Sequence, residues 1–163
     1  VNNYDINKDI IVIGNPAKKY NEIFKNECDE NSCIFVGSLE QRKGSILLAY
    51  AINIVLSKRP NTKFIIVGKD TNRNVYNMST KMVMNNIIKK DYHDRVVFVG
   101  QVPNDVVHYY LAKSKVAIFP SLFDNYPYAI LEAMSLGKHI VCSNNIGLVD
   151  LVRNDNYIFE SAN

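Results

Sequence analysis

The sequence predicts an α/β fold in which a three-layer, doubly wound parallel sheet carries helices on both faces. Two observations support this prediction. Six short apolar runs rich in β-branched residues recur along the 163 residues, and each is continuous rather than alternating, as expected for strands covered on both faces. Segments of helical period lie between most of these runs. Strands that alternate with helices favour right-handed βαβ units and therefore a parallel sheet.

The predicted strands are residues 10–14, 33–37, 64–68, 96–100, 116–120 and 139–143, which read IIVIG, CIFVG, FIIVG, VVFVG, VAIFP and HIVCS. The clearest helix is predicted over 45–58, and Pro60 ends it. Further helices are predicted over 74–90, 104–113 and 128–136. Pro127 suits the first turn of the last helix, where its missing N–H costs nothing, and Gly137 suits its left-handed end.

Length and composition indicate one domain with no membrane-spanning run and no secretory signal. The net charge of +3 is mild, and no stretch interleaves basic and aromatic residues, so we expect no nucleic-acid partner. Cys28, Cys33 and Cys142 match no zinc or redox spacing, and we expect buried or free thiols in a reducing cytosol.

Polar residues follow several predicted strands, where ligands bind to doubly wound sheets. After CIFVG, Gly37 and Gly44 are expected to let the backbone approach a ligand, and Lys43 precedes a helix where a phosphate would meet exposed N–H groups. A solvated basic turn is the alternative. The turn at 100–103 is expected to form one wall of a base pocket, with an ordinary strand-to-helix turn as the alternative.

Two carboxylates follow the fifth predicted strand. Asp124 precedes the helix at 128–136, where it is either a ligand contact or, like Asn125, an N-cap candidate. Glu132 lies within that helix among almost exclusively apolar residues, so its carboxylate needs either a ligand or a buried lysine or arginine partner. Two ionised oxygens suit it to accept hydrogen bonds from sugar hydroxyls.

Other chemistries lack their motifs. His93, His108 and His139 have no partner at metal-ligand spacing, so no metal is expected. The sequence also contains no Gly-x-Ser-x-Gly elbow, Walker phosphate loop or Gly-x-Gly-x-x-Gly fingerprint, which excludes ordinary dehydrogenases and P-loop NTPases. A nucleotide site of helix ends, one lysine and two carboxylates remains, with no cofactor.

Residues from about Ile34 to Phe159 resemble the carboxyl-terminal domain of retaining GT-B glycosyltransferases, particularly the group 1 type, glycosyltransferase family 4. CIFVGSLEQRKGSILLAYAI is similar to that family's first strand, phosphate loop and helix. The most specific part is Asp124, seven residues, Glu132 and then Ala-Met-x-x-Gly, which resembles the family's two-acid motif. The resemblance implies a Rossmann-like half of a GT-B fold.

The resemblance also implies a site for a nucleoside diphosphate sugar. Lys43 is expected to neutralise the diphosphate, Asp124 to hold hydroxyls of the donor sugar and Glu132 to bind the ribose. These three are the expected catalytic residues. The other expected donor-binding residues are Gly37, Ser38, Arg42, Gln101, Val102, Asn125, Tyr126, Tyr128 and Ala129. Among them, Gln101 and Val102 are expected near the base, and the backbone N–H groups of Tyr126, Tyr128 and Ala129 near sugar and phosphate oxygens.

Three positions depart from the family pattern. Ser38 stands where the family usually has arginine, which weakens one phosphate contact unless Arg42 replaces it. Asp124 is one methylene shorter than the commoner glutamate. Pro127 replaces a frequent glycine and removes an N–H donor.

The implied reaction transfers a sugar from a nucleoside diphosphate with retained anomeric configuration and without a metal. Residues 1–163 are then expected to be a single donor-binding domain, a fragment that lacks the amino-terminal acceptor domain and the final carboxyl-terminal helices and has little activity alone. The expected partners are the sugar donor and that acceptor domain. The expected location is the cytoplasm, with peripheral contact to the inner membrane face through the missing half. A binding module that has lost catalysis and a GT-B nucleotide-sugar epimerase are the alternatives.

Overall fold

The computed structural model of the protein describes residues 28–152 and 157–160. In this part of the chain the strands are β1 (Asp29–Val36), β2 (Lys63–Val67), β3 (Val96–Gly100), β4 (Ser114–Phe119), β5 (His139–Ser143) and β6 (Tyr157–Phe159). The helices are α1 (Ser45–Lys58), α2 (Thr80–Ile87), α3 (Asn104–Lys113), α4 (Tyr128–Ser135) and α5 (Val149–Val152), with short 3-10 turns at Gln41–Lys43 and Lys90–Arg95. The strand predicted over 10–14 lies outside the described residues.

The six strands form one parallel sheet in the order β3-β2-β1-β4-β5-β6. The chain builds outward from β1 to β2 and β3, then returns to the other side of β1 and builds outward again through β4, β5 and β6. Strand order therefore reverses between β1 and β4, and the carboxyl ends of these two strands flank the switch point where such sheets bind ligands. The predicted doubly wound parallel sheet is confirmed.

A separate apolar cluster covers each face of the sheet. On one face α1 and α2 bury Leu48, Ile52 and Met84 against the strands, and on the other α3 and α4 bury Leu111 and Ile130. Continuous apolar strands such as FIIV are needed because both faces are covered. The three-layer arrangement follows directly.

The helix predicted over 74–90 is wrong at both ends, because α2 begins only at Thr80 and ends at Ile87. The Asn74 side-chain amide donates hydrogen bonds to the Met78 carbonyl and to Thr80 Oγ1, and Asn77 has a positive φ of 49°. Ser79 then caps α2 by accepting from the Met82 N–H. Local side-chain hydrogen bonds of this kind compete with helix formation.

The remaining helices and cysteines follow the sequence closely. The predictions for α1 and α3 hold to the residue, α4 ends one residue early, and Gly137 follows it with a left-handed φ of 67°. All three cysteines are free thiols, and burial raises the pKa of Cys33 and Cys142 to about 11. None of the helices in residues 28–152 and 157–160 is long and apolar enough to cross a bilayer.

Candidate functional site

A cavity of about 210 Å³ opens at the switch point between β1 and β4. Its walls come from the ends of both strands, from the loops that follow them and from the first turn of α4. The lining residues are Phe35, Val36, Gly37, Ser38, Lys43, Phe119, Ser121, Asp124, Pro127, Tyr128 and Ala129. Six of the twelve expected donor-binding residues are in this lining: Gly37, Ser38, Lys43, Asp124, Tyr128 and Ala129.

An ion pair between Lys43 and Asp124 joins the two loops across this cavity. The Asp124 side chain is only 11% exposed, and its second oxygen lies 3.9 Å from Arg42 Nη1. A largely buried carboxylate needs such partners, because an unpaired charge at this depth is strongly destabilising. The cavity wall therefore presents a lysine cation directly beside an aspartate anion.

Backbone contacts fix the loop after β1 against the loop after β4. The Leu122 N–H donates to the Arg42 carbonyl over 2.9 Å, and Arg42 Nη1 donates to the Phe123 carbonyl over 3.1 Å. Gly44 lies between them with a left-handed φ of 76°, and a Cβ there would stand 1.8 Å from the Pro120 carbonyl oxygen. The close approach at Gly44 is thus made to the backbone after β4, not to a ligand as the sequence predicted.

Asp124 is held by a segment that sequence reasoning missed, the loop between β5 and α5. The Asp124 N–H donates to the Asn145 carbonyl over 3.1 Å, and the Gly147 N–H donates to the Asp124 carbonyl over 2.9 Å. The signal is the glycine-containing run NNIG directly after β5, since carboxyl ends of parallel strands share one edge. Asp124 does not cap α4, whose N-cap is Pro127 with no side-chain hydrogen bond.

The first turn of α4 forms part of the cavity wall. The N–H groups of the first turn of a helix have no partner within that helix. Here the Ile130 N–H bonds back to the Pro127 carbonyl, whereas Tyr128 and Ala129 line the cavity. Neighbouring Asn125 is exposed and Tyr126 packs against the apolar core, and neither lines the cavity.

Glu132 has a partner of a different kind from the one expected. Its Oε1 lies 3.2 Å from Nε2 of His108 on α3, and its side chain is 26% exposed. The predicted alternative of a buried lysine or arginine partner is wrong, because the partner is His108 and the carboxylate is only partly buried, and the ligand contact of Glu132 stays a prediction. His108, which looked isolated in sequence, meets Glu132 because α3 and α4 pack on the same face.

The base pocket expected at 100–103, after the fourth predicted strand, stays apart from the switch-point cavity. Gln101 is exposed and Val102 packs against the core under α3, and neither residue lines the cavity. Arg42 is also outside the lining but lies beside it through its contacts to Asp124 and Phe123. The structure thus groups the loop after β1 with the first turn of α4. Glu132, farther along α4, instead faces His108 on α3, and the 101–102 turn precedes α3.

Glu40 is a buried carboxylate at the site that the sequence did not single out. It is 4% exposed, and it accepts hydrogen bonds from Ser38 Oγ over 3.0 Å and from Arg42 Nη2 over 2.9 Å. Burial is the largest influence and raises the Glu40 pKa, but Ser38, Arg42 and Arg73 together outweigh it and lower the pKa below its ordinary value. Glu40 is therefore an anion that organises the cations around it.

No three histidine, cysteine, aspartate or glutamate side chains within residues 28–152 and 157–160 cluster so that they would hold a metal ion. The cations at the switch-point cavity are instead side chains, Lys43 in the lining and Arg42 beside it.

A family model described as "Glycosyl transferases group 1" matches residues 30–163. The chain is 34% identical over 131 residues to the UDP-Gal:alpha-D-GlcNAc-diphosphoundecaprenol alpha-1,3-galactosyltransferase of Escherichia coli, covering 77% of this chain and 31% of that protein. It is 28% identical over 127 residues to an uncharacterized glycosyltransferase of Methanocaldococcus jannaschii, covering 78% of this chain and 30% of that protein.

Solved structures show the same fold. A variant of S. aureus TarM, solved in complex with UDP and glycan ligands, matches with a TM-score of 0.78 over 98% of this chain and 31% of that one, at 21% identity. The sucrose-phosphate synthase of Thermosynechococcus elongatus matches with a TM-score of 0.66 over 83% of this chain and 33% of that one, at 23% identity. The curated relatives are about three times as long as the part that this chain matches.

Proposed function

Because the chain belongs to the group 1 glycosyl transferase family, we propose that it is the donor-binding domain of a longer enzyme that transfers a sugar from a nucleoside diphosphate sugar to an acceptor. The observation that carries the proposal is the Lys43–Asp124 pair at the switch-point cavity. A cation suits the diphosphate and an adjacent carboxylate suits sugar hydroxyls, so the two side chains match the two halves of such a donor.

The nature of the donor is supported by the relatives. The E. coli relative is named for a UDP-Gal donor, and the TarM structure contains UDP. A nucleoside diphosphate sugar is the ligand class that these names share. Which base and sugar this chain takes is set by residues around the cavity and the 101–102 turn.

The phosphate end of the donor is assigned to the loop after β1 and to α4. Lys43 approaches the diphosphate from one side, and the backbone N–H groups of Tyr128 and Ala129 approach from the start of α4, where the helix dipole favours anions. Pro127 offers no N–H, so this site has fewer donors than the family pattern implies.

The nucleoside end is assigned to the α3 side. Glu132 binds the ribose hydroxyls, and the contact of its Oε1 with His108 fixes the orientation of the carboxylate. Gln101 and Val102 lie in the turn between β3 and α3, and we place them next to the base. In this arrangement the donor extends from the cavity at β1 and β4 along the first turn of α4.

The reaction proceeds by exchange of one bond at the anomeric carbon. The bond from this carbon to the β-phosphate oxygen breaks, the oxygen of an acceptor hydroxyl bonds to the carbon, and the hydroxyl proton leaves with the nucleoside diphosphate or a base. Lys43 and the α4 N–H groups stabilise the charge that develops on the leaving diphosphate, a role that needs no metal ion. Retention of anomeric configuration is proposed from the resemblance of the Asp124–Glu132 motif to that of retaining enzymes.

The acceptor surface is assigned to a second domain. The chain spans 25–32% of the length of the curated relatives it matches, so two thirds or more of such proteins lie outside the matched region. We therefore propose that an amino-terminal domain of the longer protein receives the acceptor and supplies any general base. Contact with a membrane face, if the longer protein makes it, belongs to that domain.

Nucleotide binding by the 163-residue chain tests this proposal. Thermal stability is measured with UDP, GDP, ADP and their sugars, because a ligand that binds only the folded state raises stability by ~2.7 kcal/mol at one hundred times its dissociation constant. One nucleotide family is expected to give a shift that Lys43→Gln removes. Lys58→Gln, at the far end of α1, is the matched control and is expected to keep the shift.

Two outcomes contradict the proposal. A shift that is the same in wild type and Lys43→Gln places the nucleotide elsewhere, and no shift from any of the nucleotides removes the donor site. A third outcome favours the alternative of a binding module without catalysis, which the departures at Ser38 and Pro127 suggest. In that outcome the wild-type chain binds a nucleotide but the full-length protein transfers no sugar.

A further inference from the structure

We propose a second anion-binding subsite, formed by the loop between β2 and α2 and joined to the donor cavity at Ser38. It would take a phosphate or carboxylate group carried by a substrate next to the donor diphosphate. The connection to a substrate rests on the proposed function, whereas the ability of the loop to bind an anion does not.

The subsite is a polar cavity of about 710 Å³ on the other side of Ser38. Ser38 lines both this cavity and the switch-point cavity, so the two are neighbours that share one wall. The lining residues are Ser38, Lys69, Asp70, Thr71, Asn72, Arg73 and Ser79. Every one of these side chains carries a polar group, which suits a charged ligand rather than an apolar one.

The two basic side chains of this cavity differ in their contacts, because Arg73 lies 3.5 Å from Glu40 whereas Lys69 has no such contact among the described residues. Among the described residues, no carboxylate pairs with Lys69, and the Arg73 side chain is 76% exposed. The only acid in the lining, Asp70, is already engaged, because its oxygens accept from Ser79 Oγ over 2.6 Å and from the Lys81 N–H over 3.0 Å. Asp70 keeps its charge in these contacts, because both donors are neutral, and with Lys69 and Arg73 it gives the lining a net formal charge of +1.

Glu40 links the two cavities through two guanidinium groups. One of its oxygens accepts from Arg42, which lies beside Asp124, and the other lies 3.5 Å from Nη1 of Arg73. Because Glu40 is nearly fully buried, its carboxylate is fixed and orients both arginines. Arg42 therefore lies beside the switch-point cavity and Arg73 lines the second cavity, so that a guanidinium group stands on each side of Ser38.

The β2–α2 loop is held in place by contacts with the loop after β1. Thr71 Oγ1 donates to the Leu39 carbonyl over 2.6 Å, and the Gln41 N–H donates to the Arg73 carbonyl over 2.9 Å. The Val75 N–H donates to Gln41 Oε1 over 2.9 Å. A preorganised loop loses less conformational entropy on binding than a flexible one, so these contacts favour ligand affinity.

Phosphate and carboxylate are the ligand groups that fit. A guanidinium forms paired hydrogen bonds with either group, and a lysine ammonium adds charge without fixed geometry. Two sources of this chemistry are open, an acidic group on the donor sugar and an acidic group on the acceptor. Both would lie one cavity away from the donor phosphates.

Backbone amide NMR of the 163-residue chain during titration with inorganic phosphate tests the subsite. Amide shifts are expected at residues 71–79, and the double variant Lys69→Gln/Arg73→Gln is expected to weaken the phosphate affinity read from them by about tenfold, the loss of charge-assisted hydrogen bonds. Arg95→Gln, an exposed arginine on a different loop, is the control and should leave the affinity unchanged. Equal affinity in the double variant and wild type overturns the subsite.

A second titration separates the sources and separates this inference from the proposed function. UDP, GDP and ADP are each titrated. One of them is expected to shift amides near Lys43 and Tyr128, and absence of those shifts with all three contradicts the proposed function, while the phosphate result still decides the subsite. The glucuronate and the glucose forms of the nucleotide that binds are then compared. If the carboxylate alone adds shifts at 71–79, the group belongs to the donor, and if it adds none while phosphate does, the group belongs to the acceptor.

Discussion

Lys43 and Asp124 lie 81 positions apart in the sequence and form an ion pair across the switch point of the sheet. The pair joins the loop after β1 to the loop after β4, and the β5–α5 loop fixes the aspartate through two backbone hydrogen bonds. The loops after three strands thus meet at one residue, Asp124. This gives Asp124 a structural basis that does not depend on capping α4.

Asp124→Asn is expected to change sugar recognition rather than nucleotide affinity. The substitution releases Lys43 from its ion pair, so UDP or its equivalent should bind at least as tightly as to wild type. The nucleotide sugar should lose its advantage over the free nucleotide, by about 1.5–3 kcal/mol if hydrogen bonds to a charged group are lost. Calorimetry with both ligands measures the ratio.

The control for this comparison is Asp105→Asn, which removes an exposed acid from the first turn of α3. Its affinity ratio should match that of wild type. Equal weakening of nucleotide and nucleotide sugar by Asp124→Asn would show that the aspartate supports the fold of the site rather than the sugar.

The sequence predicts that Lys43 and Asp124 lie at one edge of the sheet, because parallel strands make their carboxyl ends neighbours, and the structure confirms that the two residues meet there. In such a sheet the loops that carry Lys43 and Asp124 lie at the edge where ligands bind, whatever the number of residues between them. The same rule applies to the loop after β5. This loop matters because Asn145 and Gly147 form backbone hydrogen bonds with Asp124, and no side-chain pattern reveals such bonds.

The sequence does not reveal which residues pair with Glu132 and Glu40. Glu132 was judged by its apolar neighbours along α4, yet its environment is set by α3, which brings His108 within 3.2 Å. Glu40 looked like one more charge in a polar loop, and only the fold buries it and places Arg73, 33 positions away, beside it. Burial and long-range pairing depend on helix packing angles and loop paths, which residue spacing does not encode.

Glu132→Gln is expected to reduce discrimination between ribose and deoxyribose. A glutamate that accepts hydrogen bonds from ribose hydroxyls favours a nucleoside diphosphate over its 2′-deoxy form, and an amide that presents one acceptor and one donor does so less well. The ratio of the two affinities should fall toward one, with thermal stability little changed because the side chain is partly exposed. His108→Gln should act in the same direction but less strongly. A ratio unaffected by Glu132→Gln assigns the ribose to other residues.

Gly44→Ala and Gly137→Ala form a matched pair of substitutions at left-handed glycines. Their φ angles are similar, 76° and 67°, so each alanine costs about 1–2 kcal/mol of conformational strain. The two sites differ in the space around the added methyl group. A Cβ at residue 44 would lie 1.8 Å from the Pro120 carbonyl oxygen, whereas a Cβ at residue 137 would meet no atom within 4 Å. Gly44→Ala should therefore cost at least about 1–3 kcal/mol more, the usual range for overpacking.

Urea unfolding of the two variants measures this difference. The displaced contact in Gly44→Ala is backbone of the β4–α4 loop, so nucleotide affinity should fall along with stability, while Gly137→Ala should keep it. Equal stabilities of the two variants would mean that the loops after β1 and β4 separate at little cost and do not form a rigid site.

Glu40→Gln is expected to destabilise the protein in a pH-dependent way. The Glu40 pKa is lowered in the folded state, so its contribution to stability is fully present above its ordinary value of 4.5 and is lost as the pH falls through the folded-state pKa. Near pH 7 the loss should be about 1–2 kcal/mol, because the amide keeps the hydrogen bonds in part but not the charge that attracts Arg42 and Arg73. The difference from wild type in the free energy of unfolding, followed by urea unfolding at several pH values, should shrink steadily below pH 4.5.

Glu30→Gln removes an exposed acid paired with Lys115 and should stay within about 0.5 kcal/mol of wild type throughout. A gap between wild type and Glu40→Gln that persists unchanged at low pH would mean that Glu40 acts through packing and not as the anion that holds the two arginines.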